Sequence, residues 1–321
     1  MTVVSFVVPV RNDAERLGRC LRSIAANGYP GDAVEVVVAD NGSTDDSAAV
    51  AREAGAALLS LPNLRLGALR NRAAAAARGT VLAFVDADHE IGPDWVAATV
   101  EVLADGAVAA VGAACRPPAS STWVQRLYDR LRQHAAQPRA VEWLGSGNMA
   151  VRRAAFEAVG GFDEALETCE DVDLCRKLRA NGGRLVADGR LENTHYGDPR
   201  TLRHLFLGEL WRGRDNIRVS LRKPRSWRTI ASATIPAITL TAIAATVVGA
   251  IAASALGPSV VVDGILAIAL IIAVRTARML RGASPRDLPA AFAVAGAYEI
   301  GRALAIAARA GHAWRRVGTT S

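Results

Sequence analysis

The sequence predicts an α/β protein, a mostly parallel sheet with helices on both faces, followed by a helical membrane region. Strand-like apolar runs alternate with helical patterns across residues 3–85, as in sheets built by helical crossovers. Acidic residues stand at the ends of several of those runs. The last third contains two stretches long and apolar enough to cross a bilayer.

Residues 3–10 form a β-branched run ending at Pro9-Val10, and Leu17, Leu21 and Ile24 then recur at helical spacing until Gly28. Residues 34–39 read as a second strand, closed by Asp40-Asn41-Gly42-Ser43-Thr44-Asp45, where Ser43 or Thr44 can cap the next helix. Residues 57–61 are a short third strand, 66–78 an Ala-rich helix and 80–85 a fourth strand that ends in Asp86-Ala87-Asp88. Ligands of such sheets bind outside the carboxyl ends of the strands. Pro9 and Arg11, then Asp40, then Asp86 and Asp88 all fall there, so three strands deliver polar groups to one edge.

With 321 residues the chain exceeds one ordinary domain, and its 51% hydrophobic content is concentrated toward the end. The net charge of +7 comes from 38 Lys and Arg against 31 Asp and Glu. The basic residues crowd the apolar third with few aromatics between them, which favours an anionic membrane surface over nucleic acid. Cys20, Cys115, Cys169 and Cys175 lack C-x-x-C spacing and are expected to be reduced thiols in a cytosolic compartment. The strand-like run directly after Met1-Thr2 has no basic n-region, so a signal peptide is not expected.

Asp86 and Asp88 are hard oxygen donors that suit Mg²⁺ or Mn²⁺ completed by water and substrate phosphates. Alone, such a pair is as readily an acidic loop or helix cap; its convergence with Asp40 favours a site. Neither G-x-G-x-x-G after the first strand nor G-x-x-x-x-G-K-[ST] is present. A diphosphate would therefore be held by a metal and by arginines, with Arg70 and Arg72 as candidates and Arg72 equally suited to a solvated helix face.

Several stretches together resemble the family 2 glycosyltransferases. They are Val7-Val8-Pro9-Val10-Arg11-Asn12, Val38-Ala39-Asp40-Asn41-Gly42-Ser43-Thr44-Asp45, Leu69-Arg70-Asn71 and Phe84-Val85-Asp86-Ala87-Asp88. Gly145-Ser146-Gly147-Asn148-Met149-Ala150-Val151-Arg152-Arg153, Gly160-Gly161-Phe162-Asp163-Glu164 and Glu170-Asp171-Val172-Asp173-Leu174 follow in the family's order. The resemblance implies the GT-A nucleotide-diphospho-sugar transferase fold and inverting sugar transfer. It implies that Asp40 contacts the nucleotide base with Pro9 and Arg11 beside it. Asp86 and Asp88 would form the metal and diphosphate motif, with Asp88 the more direct ligand. Asp171 would be the general base, paired with Glu170, while Asn148 and its glycine loop would line the acceptor side. Some relatives place a metal-ligating histidine further on, and His195 fits that position, although a lone histidine is as readily structural. The expected metal set is thus Asp86, Asp88 and His195; the expected substrate-binding set is Pro9, Arg11, Asp40, Arg70, Asp86, Asn148 and Glu170.

Asp171 also has a local reading. Thr168-Cys169-Glu170-Asp171 has the shape of a capping box, and Val172, Cys175 and Leu178 continue a helical face to Asn181-Gly182. A capping carboxylate is ionised, as a base must be, so the two roles are compatible.

Residues 230–251 carry no charge, and 256–274 carry only Asp263. Arg218, Arg222, Lys223, Arg225 and Arg228 precede the first run; Arg275, Arg278, Arg281 and Arg286 follow the second; residues 252–257 between them carry no basic residue. The bias toward positive residues inside predicts a hairpin with both outer flanks in the cytoplasm. Residues 288–310 place Glu299, Arg302 and Arg309 on one helical face, with Arg315-Arg316 following. They read as an interfacial amphipathic helix, which fits better, or a third membrane segment. The expected organisation is a catalytic domain at 1–200, a basic juxtamembrane segment at 201–229, a transmembrane hairpin at 230–281 and the ambiguous helix at 288–316.

Processive relatives carry Gln-x-x-Arg-Trp near residue 210, where this chain has Glu209-Leu210-Trp211-Arg212-Gly213-Arg214. Single-sugar transfer is therefore expected. The reading is a membrane-anchored inverting glycosyltransferase on the cytoplasmic face of the cell membrane. It would move a sugar from a nucleotide-sugar donor, UDP-sugar by default, to a hydroxyl of a lipid-linked or membrane-proximal glycan acceptor. Its partners would include membrane lipids but no nucleic acid. The alternatives are a polyprenyl-phosphate sugar synthase and a non-catalytic nucleotide-binding membrane scaffold.

Overall fold

The computed structural model describes residues 4–132, 134, 137–223, 225–252, 258–281 and 284–317, with side chains up to residue 309. Residues 253–257 of the linker expected at 252–257 and the side chains of Arg315-Arg316 lie outside the described residues. The chain divides into two compact units, Met1–Ala119 with Arg132–Asp198, and Ser120–Leu131 with Pro199–Ser321.

The first unit begins β1 (Val4–Val10), α1 (Ala14–Ala25), β2 (Val34–Asp40), α2 (Ser47–Glu53), β3 (Ala57–Ser60), α3 (Leu66–Ala76) and β4 (Val81–Val85). It continues with β5 (His89–Ile91), α4 (Trp95–Leu103) and β6 (Val108–Gly112). After α5 (Trp123–Asp129), which belongs to the second unit, come β7 (Arg139–Ala140), β8 (Asn148–Arg152), α6 (Arg153–Ala158), α7 (Glu170–Ala180), β9 (Arg184–Ala187) and β10 (Asn193–His195).

The sheet runs β3-β2-β1-β4-β8-β6-β9-β7. Strands β1 to β4 are mutually parallel, and β8 enters antiparallel between β4 and β6. Val85 at the end of β4 faces Asn148 at the start of β8, so β8 returns from the same edge where the parallel strands finish. Every residue of β1 is buried, as a mostly apolar strand covered on both faces requires, and its one polar side chain, Ser5, accepts from the Gly79 N–H at 2.6 Å. Phe6, Val8, Leu17, Ile24 and Trp95 form the core on one side; Val7, Leu69, Phe84, Phe162 and Leu178 form it on the other. A separate ribbon pairs β5 with β10 antiparallel, setting His89 opposite His195.

Two local expectations change. Helix α3 stops at Ala76, and α7 starts at Glu170 with Cys169 as its N-cap at φ 61° and no side-chain cap. Thr168 is therefore not the first member of a capping box. The left-handed Cys169 turns the chain immediately before the Glu170-Asp171 pair, a backbone conformation uncommon for a non-glycine residue.

The second unit adds to α5 the helices α8 (Leu202–Arg212), α9 (Asn216–Ser220), α10 (Trp227–Ile251), α11 (Ser259–Met279) and α12 (Leu288–Val317). Val124, Leu127, Leu205, Ile272, Met279, Val294 and Ala295 form its core. Three helical segments, Trp227–Ile251, Ser259–Met279 and Pro285–Arg309, are long and apolar enough to cross a membrane. Two charges of α12, Glu299 and Arg302, are turned toward other helices of this unit. Glu299 is buried and accepts from Arg275 of α11 at 2.6 Å, while Arg302 donates to Tyr298 at 2.7 Å and to Ser232 of α10 at 3.0 Å. Charges that gave this helix an interfacial pattern are instead satisfied within the helical unit, which sequence periodicity alone does not distinguish.

Candidate active site

The carboxyl ends of the parallel strands gather polar groups. Pro9 is buried within β1 and Arg11 is exposed just beyond it. Asp40 is buried at the end of β2, where its Oδ1 accepts from the Ser43 backbone N–H at 2.9 Å. Asn12 closes the neighbouring loop by receiving the Thr44 N–H at 2.7 Å, and Ser43 Oγ accepts from the Asn12 N–H at 2.9 Å. These contacts shape a fixed rim where β1 and β2 end.

Asp86 and Asp88 diverge. Asp86 Oδ1 accepts from Arg70 Nη2 at 2.6 Å, and the other arm of Arg70 reaches Glu170 Oε1 at 2.7 Å. Arg70 is almost wholly buried, so this cation between two acids is a charge-assisted bridge shielded from solvent. It joins the strand-end motif to the residue adjoining Asp171. Asp171 is half-buried, and its Oδ1 accepts from the Val172 N–H at 2.7 Å. Burial, reinforced by the negative charge of Glu170, pushes its carboxyl up to about 7.

Asp88 instead faces histidines. Its Oδ2 lies 3.2 Å from His195 Nε2, and its Oδ1 lies 3.5 Å from His89 Nε2. Asp88, His89 and His195 each offer a donor atom, and these atoms lie within 4.8 Å of one another. Burial opposes the ionisation of Asp88, but the hydrogen bond and charge of His195 outweigh it and hold the carboxyl well below its ordinary range. His195 pairs with Asp88 and Asp198; these acids overcome its burial and raise the imidazole to about 9. Burial and the neighbouring His195 charge lower His89 to about 4, so its ring is neutral and able to offer a lone pair.

Two glycines keep this space open. A Cβ at Gly147 would sit 2.8 Å from His89 Cε1 and 2.9 Å from Asp86 Oδ2, and a Cβ at Gly197 would overlap Asp88 Oδ2. Imidazole and carboxylate donors suit Mn²⁺ better than Mg²⁺, which prefers an all-oxygen shell. The residues present thus fit a divalent transition-type ion.

Asn148 is buried, and both ends of its amide are bonded inside the protein. Its Nδ2 donates to Ala113 and Leu191 carbonyls, and its Oδ1 accepts from Trp95 Nε1 at 2.7 Å. It braces the start of β8. His89, Asp198 and Gly197 were not among the residues expected from sequence, whereas Gly147 belongs to the loop expected to line the acceptor side. His89 directly follows the acidic pair and sits on a three-residue strand, too short for periodicity to register.

Comparison with known proteins bears on this geometry. Residues 5–160 match the family model described as glycosyl transferase family 2. The glycosyltransferase AglE of Haloferax volcanii is 30% identical over 196 residues, covering 57% of this chain and 63% of that protein. The pre-mycofactocin glycosyltransferase of Mycobacterium tuberculosis is 29% identical over 197 residues, covering 57% and 40%. The matched region therefore spans less than two thirds of these relatives. Among solved structures, a mannosyltransferase from Pyrobaculum calidifontis in complex with GDP-Man and Mn²⁺ superposes with a TM-score of 0.60 at 20% identity, covering 94% of this chain and 87% of that one. The sheet order, the strand-edge carboxylates and these matches agree: the fold is GT-A, and residues 5–160 carry the match to glycosyl transferase family 2.

Proposed function

We propose that this chain is a membrane-anchored, inverting glycosyltransferase that passes one sugar from a nucleoside-diphosphate donor, UDP-linked by default, to a hydroxyl of a lipid-linked or membrane-proximal glycan. The observation that carries this reading is the Arg70 bridge between Asp86 and Glu170, which ties the strand-end acids to the Asp171 region. In this reading Pro9, Arg11 and Asp40 line the nucleoside end of the donor. Asp88, His195 and His89 would hold a divalent ion, Mn²⁺ by the chemistry of the donors, with Asp86 beside them on Arg70. When bound, that ion supplies Lewis-acid neutralisation of the leaving diphosphate.

The remaining steps belong to the protein. Asp171 takes the proton of the acceptor hydroxyl as its oxygen attacks the anomeric carbon. The bond from that carbon to the diphosphate oxygen breaks on the opposite face, which inverts the configuration. Arg70 holds Glu170 and Asp86 in place beside Asp171 through its two arms. The basic flanks of the apolar helices support a cytoplasmic face for the catalytic unit.

The test uses membranes containing the full chain, a panel of nucleotide sugars and Mn²⁺, with product release and transfer both measured. Wild-type turnover should be lost in Asp88→Ala and fall by several orders of magnitude in Asp171→Asn. Retention of activity in Asp171→Asn would instead identify an acceptor already ionised, such as a lipid phosphate. Absence of turnover and of nucleotide binding would leave a non-catalytic scaffold.

A further inference from the structure

Asp198 lies outside every motif discussed above, yet its carboxylate is wholly buried. An isolated buried carboxylate is strongly disfavoured, so its partners define its purpose. Arg132 grips it through both arms, Nη1 at 2.7 Å from Oδ2 and Nη2 against Oδ1, and also donates to the Cys115 carbonyl at 3.2 Å. On its other side, Asp198 Oδ1 lies 2.8 Å from His195 Nδ1. The far nitrogen of the same ring, Nε2, is the one 3.2 Å from Asp88. The backbone of His195 is tied as well. It lies in the β5–β10 ribbon, and its N–H donates to the Arg116 carbonyl at 2.8 Å. Ring and backbone are both pinned, which an ordinary surface histidine does not need.

We propose that Asp198, clamped by Arg132, is a positioning residue that fixes the ring and the tautomer of His195 so that Nε2 presents its lone pair at the metal site. Where a metal ion takes the place of the Nε2 proton, a ring whose Nδ1–H is held by a carboxylate keeps Nε2 aimed at the ion and is a stronger donor. Arg132 holds the carboxylate from its other side and stops it from rotating away. This inference rests on the reading of Asp88, His89 and His195 as a divalent-ion site.

The test is Mn²⁺ binding to the full chain in nanodiscs, read by calorimetry and by electron spin-echo detection of histidine nitrogen coupled to Mn²⁺. Asp198→Asn keeps the size and an acceptor oxygen while removing the charge. It should weaken Mn²⁺ binding by about 10- to 100-fold and alter the histidine nitrogen signal. The double variant Arg132→Met/Asp198→Asn leaves no unpaired buried cation and should show the same loss, which separates positioning from failure to fold. Wild-type affinity with an unchanged nitrogen signal in either variant overturns the proposal. If Asp88→Ala abolishes binding while the Asp198 variants bind normally, only this proposal falls. If the wild-type chain takes up no Mn²⁺, the metal reading falls and takes the proposal with it.

Discussion

His195 Nε2 lies 3.2 Å from Asp88 Oδ2 although 107 residues separate them in the chain. A two-stranded ribbon makes this meeting possible: β10 lies antiparallel to β5, and the Tyr196 N–H donates to the Asp88 carbonyl at 2.9 Å. Fold and candidate chemistry therefore depend on the same few backbone bonds.

Gly197 completes that approach, because any side chain there would overlap Asp88 Oδ2 and lie 2.7 Å from His195 Nε2. Gly197→Ala should separate the pair and lower Mn²⁺ affinity at least tenfold. Calorimetric titration beside a thermal melt checks this; the melt should change little, since the strain is local to two side chains.

Arg70 is a second point of failure. Removing a buried partner from an ion pair leaves uncompensated charge and costs about 3–5 kcal/mol. Arg70→Met should accordingly destabilise the catalytic unit and abolish transfer, because Asp86 and Glu170 lose their shared cation. Arg70→Lys, which cannot reach both acids with a planar fork, should recover part of the stability and little of the activity. Chemical denaturation and initial rates on the same preparations separate the two effects.

Asp171 gives a pH prediction whose sign is fixed by its raised carboxyl. A base must be ionised, so kcat/KM should rise about tenfold per pH unit on the acid side and level off above about 7. Stability moves the other way. The folded state holds this proton more tightly than the unfolded chain, so the contribution is full below the ordinary carboxylate range and is lost as pH rises through about 7. A pH–rate profile should show the acid limb, and the residual rate of Asp171→Asn should lack it.

The helical unit contains its own test. Glu299 is buried and bonded to Arg275 at 2.6 Å, and Arg275 also lies over the Tyr298 ring. Glu299→Ala should lower the melting temperature of the chain in detergent, with a loss of about 3–5 kcal/mol for a broken buried pair. Glu299→Ala combined with Arg275→Met should recover much of it, because no unpaired charge then stays buried.

Much of this was legible in the sequence for a definite physical reason. The parallel strands β1, β2 and β4 end in apolar runs, and the acids that follow are therefore visible as Asp40, Asp86 and Asp88. The antiparallel entry of β8 was not legible, because the direction of a five-residue strand after a glycine loop leaves no periodic mark. The divergence of Asp86 toward Arg70 and Asp88 toward the histidines was hidden for another reason. Alternation sends them in a common direction on an ideal strand, but the turn closed by the His89 N–H on the Asp86 carbonyl breaks that pattern. Asp198 could be suspected only from its spacing of three after His195, and Arg132 from nothing local at all. The charges of α12 show the converse limit, since an amphipathic pattern records polarity but not whether water or protein satisfies it.

The most direct measurement is the rate of sugar release and transfer from nucleoside-diphosphate sugars by membranes containing the chain, with Mn²⁺ and with chelator, for the wild type and Asp88→Ala. Turnover with Mn²⁺ should disappear on chelation and be absent from Asp88→Ala. Equal turnover with chelator, or an Asp88→Ala protein as active as the wild type, would contradict metal-dependent transfer at this site.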